Sequence, residues 1–114
     1  MFEDENALVT LLEKYKQLLI KVINDEITID FFFREYGNFY YYYALDGLES
    51  DTEEKELLLK YDKDIEVFRV VQEEIFNRIC DDELAVLDIY IANQRISAKQ
   101  AIDELKLRRK ELGL

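Results

Sequence analysis

The residues best suited to chemistry are carboxylates, and they concentrate in one short stretch of the chain. Six acids and a single lysine lie between positions 46 and 56: Asp46, Glu49, Asp51, Glu53, Glu54, Lys55 and Glu56. Closely spaced carboxylates can hold a divalent metal ion or receive a basic protein. They also suit the first turn of a helix, where the backbone dipole favours negative charge. The spacing alone leaves all three interpretations open.

A metal-dependent helical enzyme would need a second group of ligands. All-helical nucleotide pyrophosphohydrolases combine Glu-x-x-Glu with a later Glu-x-x-Asp, and Glu53-x-x-Glu56 fits the first half. The candidate for the second half, Glu74-x-x-Asn77, has asparagine in place of the needed aspartate. Helical di-iron proteins use Glu-x-x-His, and this chain has no histidine. We therefore expect no enzymatic activity, no metal and no cofactor.

The net charge of −11 and the sequence pI of about 4.4 restrict the partners. Such a surface repels nucleic-acid phosphates and anionic lipids and attracts basic proteins, although acidity can also serve solubility alone. A basic cluster near the C-terminus suits the end of a helix and needs no ligand: Lys106, Arg108, Arg109 and Lys110. We expect neither a nucleic-acid partner nor a membrane partner.

Cysteine usage and the apolar pattern favour a cytoplasmic protein. The single cysteine, Cys80, cannot form an internal disulfide, and its apolar neighbours favour a buried small side chain over a nucleophile. The acidic start predicts no signal peptide, and no apolar run reaches the roughly 20 residues of a membrane span.

The elements that position these groups are predicted to be helices. Proline is absent, glycine occurs three times and 36% of the residues are charged, a composition that disfavours an all-β fold. Apolar periodicity and capping residues predict helices over about 6–24, 28–45, 51–79 and 98–112, with a possible bend at Asp62–Asp64. Residues 83–93 suit a helix better than a strand. We expect one all-α domain over 1–114, an antiparallel bundle of four to five helices.

Two turns resemble each other along the chain. Asn24-Asp25-Glu26-Ile27-Thr28 and Asn93-Gln94-Arg95-Ile96-Ser97 both run from asparagine through two polar residues to isoleucine and a hydroxyl residue. Thr28, Ser50 and Ser97 are each predicted to cap the helix that follows, with Glu53 and Gln100 completing capping boxes after the two serines. Convergence on a good cap explains the similarity as well as a duplication does.

Nine of the fifteen aromatic residues lie between positions 31 and 43. A continuous helix through them has a main apolar face centred on Tyr36 and a second face on the opposite side. That second face holds Phe31, Arg34, Asn38, Tyr41, Tyr42 and Leu45. Either the last two helices cover it, or it forms an interface, where tyrosine is enriched. We predict that at least one of Tyr41 and Tyr42 is accessible to solvent.

The segment from Ile23 to Phe32 and the aromatic run after it resemble small acidic all-helical bacterial immunity proteins of the colicin-D-inhibitor kind. The resemblance implies a four-helix-type fold that neutralises a cationic toxin domain through acidic groups. A second resemblance, of Ala44-Leu45-Asp46-Gly47 and Glu49-Ser50-Asp51, is to a bacterial family without an assigned activity.

The function predicted from the sequence is a non-enzymatic module that docks a basic protein, with an immunity protein as its specific form. The predicted binding residues are Phe31, Arg34, Asn38, Tyr41, Tyr42, Asp46, Glu49, Asp51, Glu53 and Glu54. The alternative is a homodimer of structural or regulatory role that associates through the second aromatic face. Salt distinguishes the two, because an acidic interface with a basic partner weakens with ionic strength and an aromatic homodimer does not.

Overall fold

The computed structural model describes residues 4–48 and 50–114, and every regular element within those ranges is helical apart from an isolated parallel bridge between Ile79 and Ile96. The all-α prediction is confirmed. In chain order the helices are α1 (Glu5–Ile23), α2 (Ile29–Tyr36), α3 (Phe39–Tyr42), α4 (Thr52–Lys60), α5 (Asp62–Val70), a π-helix (Val71–Ile75), a 3-10 helix (Phe76–Arg78), α6 (Asp82–Ala85), α7 (Asp88–Ala92), α8 (Ala98–Leu107) and α9 (Arg109–Leu112).

The two similar turns have the same backbone structure. In the first, Asp25 has a φ of 59°, and in the second, Gln94 has a φ of 60°. Each residue follows the end of a helix, α1 or α7, and the next amide reaches back five residues, from Glu26 to Lys21 and from Arg95 to Tyr90. This is the Schellman arrangement, which satisfies the last carbonyls of a helix. The shared sequence pattern therefore encodes a shared helix stop.

The aromatic segment is two helices, so the prediction of one helix over 28–45 is wrong. Thr28 caps α2 as predicted, with its Oγ1 accepting a hydrogen bond from the Phe31 amide at 3.1 Å. Gly37, with φ 50° and ψ −126°, then ends α2 after Tyr36. This backbone conformation is close to the region that only glycine visits readily. The chain turns there and begins α3 at Phe39.

The helix after the acidic loop starts one residue later than predicted. Asp51, not Ser50, is the N-cap of α4, and its Oδ1 accepts a hydrogen bond from the Glu54 amide at 2.9 Å. Aspartate and serine are about equally good caps, so two adjacent candidates leave the choice open at the sequence level. The predicted Ser50–Glu53 capping box is therefore wrong, whereas the Ser97–Gln100 box at the start of α8 is confirmed.

Residues 52–78 form a nearly continuous run of helix with one interruption. Tyr61, with φ −104° and ψ 22°, separates α4 from α5 immediately before the predicted bend at Asp62–Asp64. Phe68 and Ile75 of this run are buried, and Tyr61 is half-buried. Beyond α5 the run widens into the π-helix, where the Gln72 side chain is buried and its Nε2 donates to Asn77 Oδ1 at 2.8 Å.

The core is centred on aromatic rings from α1, α2, α3 and the long helical run. Tyr15 of α1 stacks on Phe39 of α3 with 4.0 Å between ring centroids, and Phe39 contacts Phe68 edge to face at 4.9 Å. Tyr36 meets Phe76 edge to face at 5.2 Å. Burial among these rings raises the pKa of the Tyr36 hydroxyl well above its ordinary value. Leucine and isoleucine side chains of α1 and α8 complete the core.

The segment between Cys80 and Ile96 is helical, as expected, but little of it is buried. It contains the short helices α6 and α7, and within it only Ala85 is fully buried. Cys80 itself is half-buried, so the expectation of a fully buried thiol is only partly met.

Candidate functional site

Backbone geometry holds Asp46, Asp51 and Glu53 outward, whereas Glu54 in the first turn of α4 is half-buried. Asp46 Oδ1 accepts a hydrogen bond from the Leu48 amide at 3.2 Å, which fixes the turn that follows α3. Asp51 caps α4, and the helix then directs Glu53 into solvent in its first turn. Glu49, also predicted to bind, lies outside the described residues. The local fold thus presents Asp46, Asp51 and Glu53 as exposed carboxylates.

The carboxylates of this region form no ion pairs with lysine or arginine among the described residues. Among residues 4–48 and 50–114, arginines 69, 78 and 108 form ion pairs with glutamates elsewhere in the fold, but Asp46, Asp51, Glu53 and Glu54 form none. The pKa of Glu54 is raised, first by partial burial and then by the neighbouring Asp51 charge. A cation brought to this surface would relieve that repulsion.

Large apolar side chains lie in solvent next to these carboxylates. Leu48 is 85% exposed and Leu59 is 75% exposed. Leu59 lines a shallow groove together with Asp46, Gly47 and Lys55. We call six residues of the loop and of α4 the acidic face: the exposed Asp46, Leu48, Asp51, Glu53 and Leu59, and the half-buried Glu54. Lys55 of α4 is exposed in the same region. An apolar centre with charged neighbours is the composition of a protein interface.

The two tyrosines before the acidic loop differ in environment. Tyr42 is 73% exposed and contacts only the edge of Tyr43 among the aromatic rings of the described residues, at 4.9 Å between centroids. Tyr41 is 40% exposed, and its hydroxyl accepts a hydrogen bond from Asn77 Nδ2 at 3.1 Å. The predicted accessibility of at least one of these rings is confirmed.

The predicted second aromatic face does not exist as one surface, because the chain breaks at Gly37. Phe31 lies in a groove with Lys14, Gln17 and Leu18 of α1, and the Arg34 guanidinium sits 5.4 Å from its ring. Asn38 is exposed in the turn between α2 and α3. Leu45, predicted on the same face, is buried in the core. The structure therefore separates the α2 residues from Tyr41, which contacts the far end of the long helical run.

Sequence reasoning missed Leu48 and Leu59 as candidate binding residues. A signal for Leu59 was present, since three consecutive leucines at 57–59 cannot all face one core. In the structure Leu57 and Leu58 are half-buried and Leu59 is left in solvent. Leu48 carries no comparable signal, because a single leucine in a loop has no periodicity.

Neither a metal site nor a membrane span is found in the described part of the chain. No group of three or more cysteine or carboxylate side chains is placed to hold a metal ion there. Glu53 and Glu56 are both exposed, and Glu74 accepts a hydrogen bond from Arg108 at 3.4 Å. Within the same residues no helix has the length and apolar character to cross a bilayer.

Comparison with known proteins returns no relative: no protein-family model, no curated protein and no solved structure matches the chain.

Proposed function

We propose that this chain is a non-enzymatic protein-binding module that docks a basic protein partner. The observation that carries the proposal is the acidic face, where carboxylates without an ion-pair partner among the described residues share a loop and a helix with solvent-exposed Leu48 and Leu59. The leucines supply apolar area to bury, and the carboxylates select a partner with lysine or arginine around its own apolar centre. A partner cation would also lower the raised pKa of Glu54.

The charge of the whole chain supports the same partner. A net charge of −11 attracts a basic protein over distances of about a Debye length, roughly 8–10 Å at physiological ionic strength. Long-range attraction of this kind raises the rate of association more than it raises the final affinity. Nucleic acids and anionic membranes are repelled by the same charge.

The proposal includes a finer account of the fold and of the biological role. Helices α1, α2 and α8 contact one another, and α8 contacts the π-helix, which supports an antiparallel bundle of four to five helices. In this account the protein is cytoplasmic. Neutralisation of a basic toxin domain is the specific form suggested by the resemblance of residues 23–32 to helical immunity proteins.

The test replaces charge on the acidic face without disturbing the helix start. A basic protein captured by the immobilised chain at low salt is purified, and its affinity is measured by isothermal titration. We expect the triple variant Asp46→Asn, Asp51→Asn, Glu53→Gln to bind at least about tenfold more weakly, about 1.4 kcal/mol. Asparagine caps helices as well as aspartate, so the start of α4 is retained.

A matched control removes three equally exposed charges from other elements: Glu26→Gln, Glu35→Gln and Asp103→Asn. Both triple variants carry the same net charge. Equal weakening in the two variants would mean that bulk charge attracts the partner, and the acidic face would no longer be the binding site.

The second candidate function is a homodimer, and the exposure of Tyr42 is the observation that favours it. A ring that is 73% exposed contributes little to the core, so Tyr42→Ser should leave the thermal melt nearly unchanged. If the ring anchors a homodimer, sedimentation of the wild-type chain shows a dimer at both low and high salt, and the variant is a monomer. Leu107→Ser, which removes an 85% exposed leucine from α8, is the control. A wild-type chain that is monomeric throughout removes this candidate.

A further inference from the structure

Residues 81–95, which we call the arm, form a segment that leaves the helical body and returns to it. Hydrogen bonds hold both ends of the arm. The chain leaves after Cys80, whose amide donates to the Ile96 carbonyl at 2.8 Å, and the Ile96 amide donates to the Arg78 carbonyl at 3.0 Å. Arg78 Nε also donates to the Gln94 carbonyl at 2.7 Å. Arg95 Nη1 donates to the Asn77 carbonyl at 2.8 Å. Both ends of the arm are therefore fixed to the end of the long helical run.

The arm packs against the body through few side chains. Ala85 is buried and Leu84 is half-buried, so these side chains pack toward the body. Four large apolar side chains lie on the outside, with exposed fractions of 73% for Val86, 46% for Leu87, 67% for Ile89 and 56% for Ile91. Apolar side chains concentrated on a short exposed segment mark a surface that another molecule covers, since scattered single residues are the norm elsewhere.

The charges on the arm favour a basic partner over a second copy of the chain. Asp81, Asp82, Glu83 and Asp88 are all exposed, and the one cation of the arm is Arg95, whose Nη1 donates to the Asn77 carbonyl at the base. None of the four forms an ion pair within the described ranges 4–48 and 50–114. A second copy of the chain would bring the same acids against them, on a molecule whose total charge is −11. Like charges across an interface disfavour that pairing.

We propose that the arm is a second docking site, which binds a protein surface with apolar side chains flanked by lysine or arginine. The outer apolar residues of the arm provide the buried contact, and its acids pair with the flanking cations. Because the arm shares no residue with the acidic face, this proposal goes beyond the proposed function, and either one can fail alone.

The probe is a synthetic amphipathic helical peptide of leucine and lysine, which presents an apolar stripe between rows of cations. Its binding to the full chain is followed by fluorescence anisotropy of a labelled peptide. We expect the triple variant Val86→Ser, Ile89→Ser, Ile91→Ser to bind the peptide at least about tenfold more weakly, since it loses most of the apolar area that the peptide would bury. Circular dichroism should show a helical fold, because each of these side chains is more than half exposed.

A control double variant, Val9→Ser, Leu107→Ser, removes exposed apolar side chains outside both the arm and the acidic face and should retain the wild-type affinity for the peptide. A second arm variant, Asp82→Asn, Glu83→Gln, Asp88→Asn, keeps the apolar contact, and we expect it to bind more weakly with a smaller dependence on salt. This variant keeps the proposal testable if the apolar variant misfolds.

Four results would overturn the proposal. The first is no binding of the peptide to the wild-type chain. The second is an arm variant that binds the peptide as well as the wild type does, which would place the peptide on another surface such as the acidic face. The third is a loss of binding in the control double variant as large as the loss in the arm variants. The fourth is a wild-type dimer that the apolar arm variant converts to a monomer, which would make a second copy the occupant.

Discussion

Phe68→Ala is expected to lower the free energy of unfolding by about 3–5 kcal/mol, because it leaves a cavity in the centre of the aromatic core. Phe68 is 2% exposed, and its ring meets Phe39 edge to face at 4.9 Å between centroids. Phe39 in turn stacks on Tyr15, so the cavity opens beneath a stack that joins α1 to α3. Urea denaturation followed by circular dichroism measures the change.

Phe31→Ala is the matched control for this prediction. The same atoms are removed, but from a ring that is 38% exposed and lies on the surface beside Arg34. We expect a cost of less than about 1.5 kcal/mol there, since much less apolar area leaves the core. If Phe68→Ala destabilised the chain no more than Phe31→Ala does, the aromatic core described above would be wrong.

Gly37→Ala should destabilise the protein by about 3 kcal/mol, through backbone strain alone. The Cβ added by the substitution would meet no atom within 4 Å, so no clash contributes. The cost arises because φ 50° with ψ −126° is nearly forbidden to a residue with a side chain. Differential scanning calorimetry of the variant gives the change in melting temperature and, from it, in stability.

Gly113→Ala separates strain of this kind from the general cost of replacing a glycine. Gly113 also has an open Cβ position, but its φ of 72° and ψ of 30° lie in the left-handed helical region, where alanine costs about 1–2 kcal/mol. A Gly37 variant as stable as the Gly113 variant would mean that the backbone at Gly37 does not carry the strain described above.

The helix starts and stops that depend on a few adjacent residues could be predicted from the sequence. Thr28 and Ser97 cap α2 and α8 as their types indicate, because a cap is a hydrogen bond between near neighbours. The similarity of the two asparagine turns also has a local cause, the shared helix stop at Asp25 and Gln94. The break at Gly37 could not be predicted from periodicity, since a single glycine is also tolerated inside a helix.

The candidate site was only partly predictable. The acids at 46–54 could be assigned to a surface, because unpaired carboxylates are rarely buried. The exposure of the arm could not be predicted, because the apolar pattern from Leu84 to Ile91 fits both a helix in the core and a helix whose apolar side chains are exposed. The exposure of Val86 and Ile89 depends on what packs against them, and that is a property of the whole fold.

Binding of a basic protein through exposed carboxylates should weaken as salt rises, so the salt dependence of the affinity is the decisive measurement. The measurement is isothermal titration of the chain with the purified captured partner at about 50 mM and about 300 mM salt, over which charge interactions at a surface are progressively screened. We expect a saturable complex whose affinity falls at least about tenfold between the two salt concentrations, with a smaller fall for the Asp46→Asn, Asp51→Asn, Glu53→Gln variant. An affinity that is the same at both salt concentrations would contradict it.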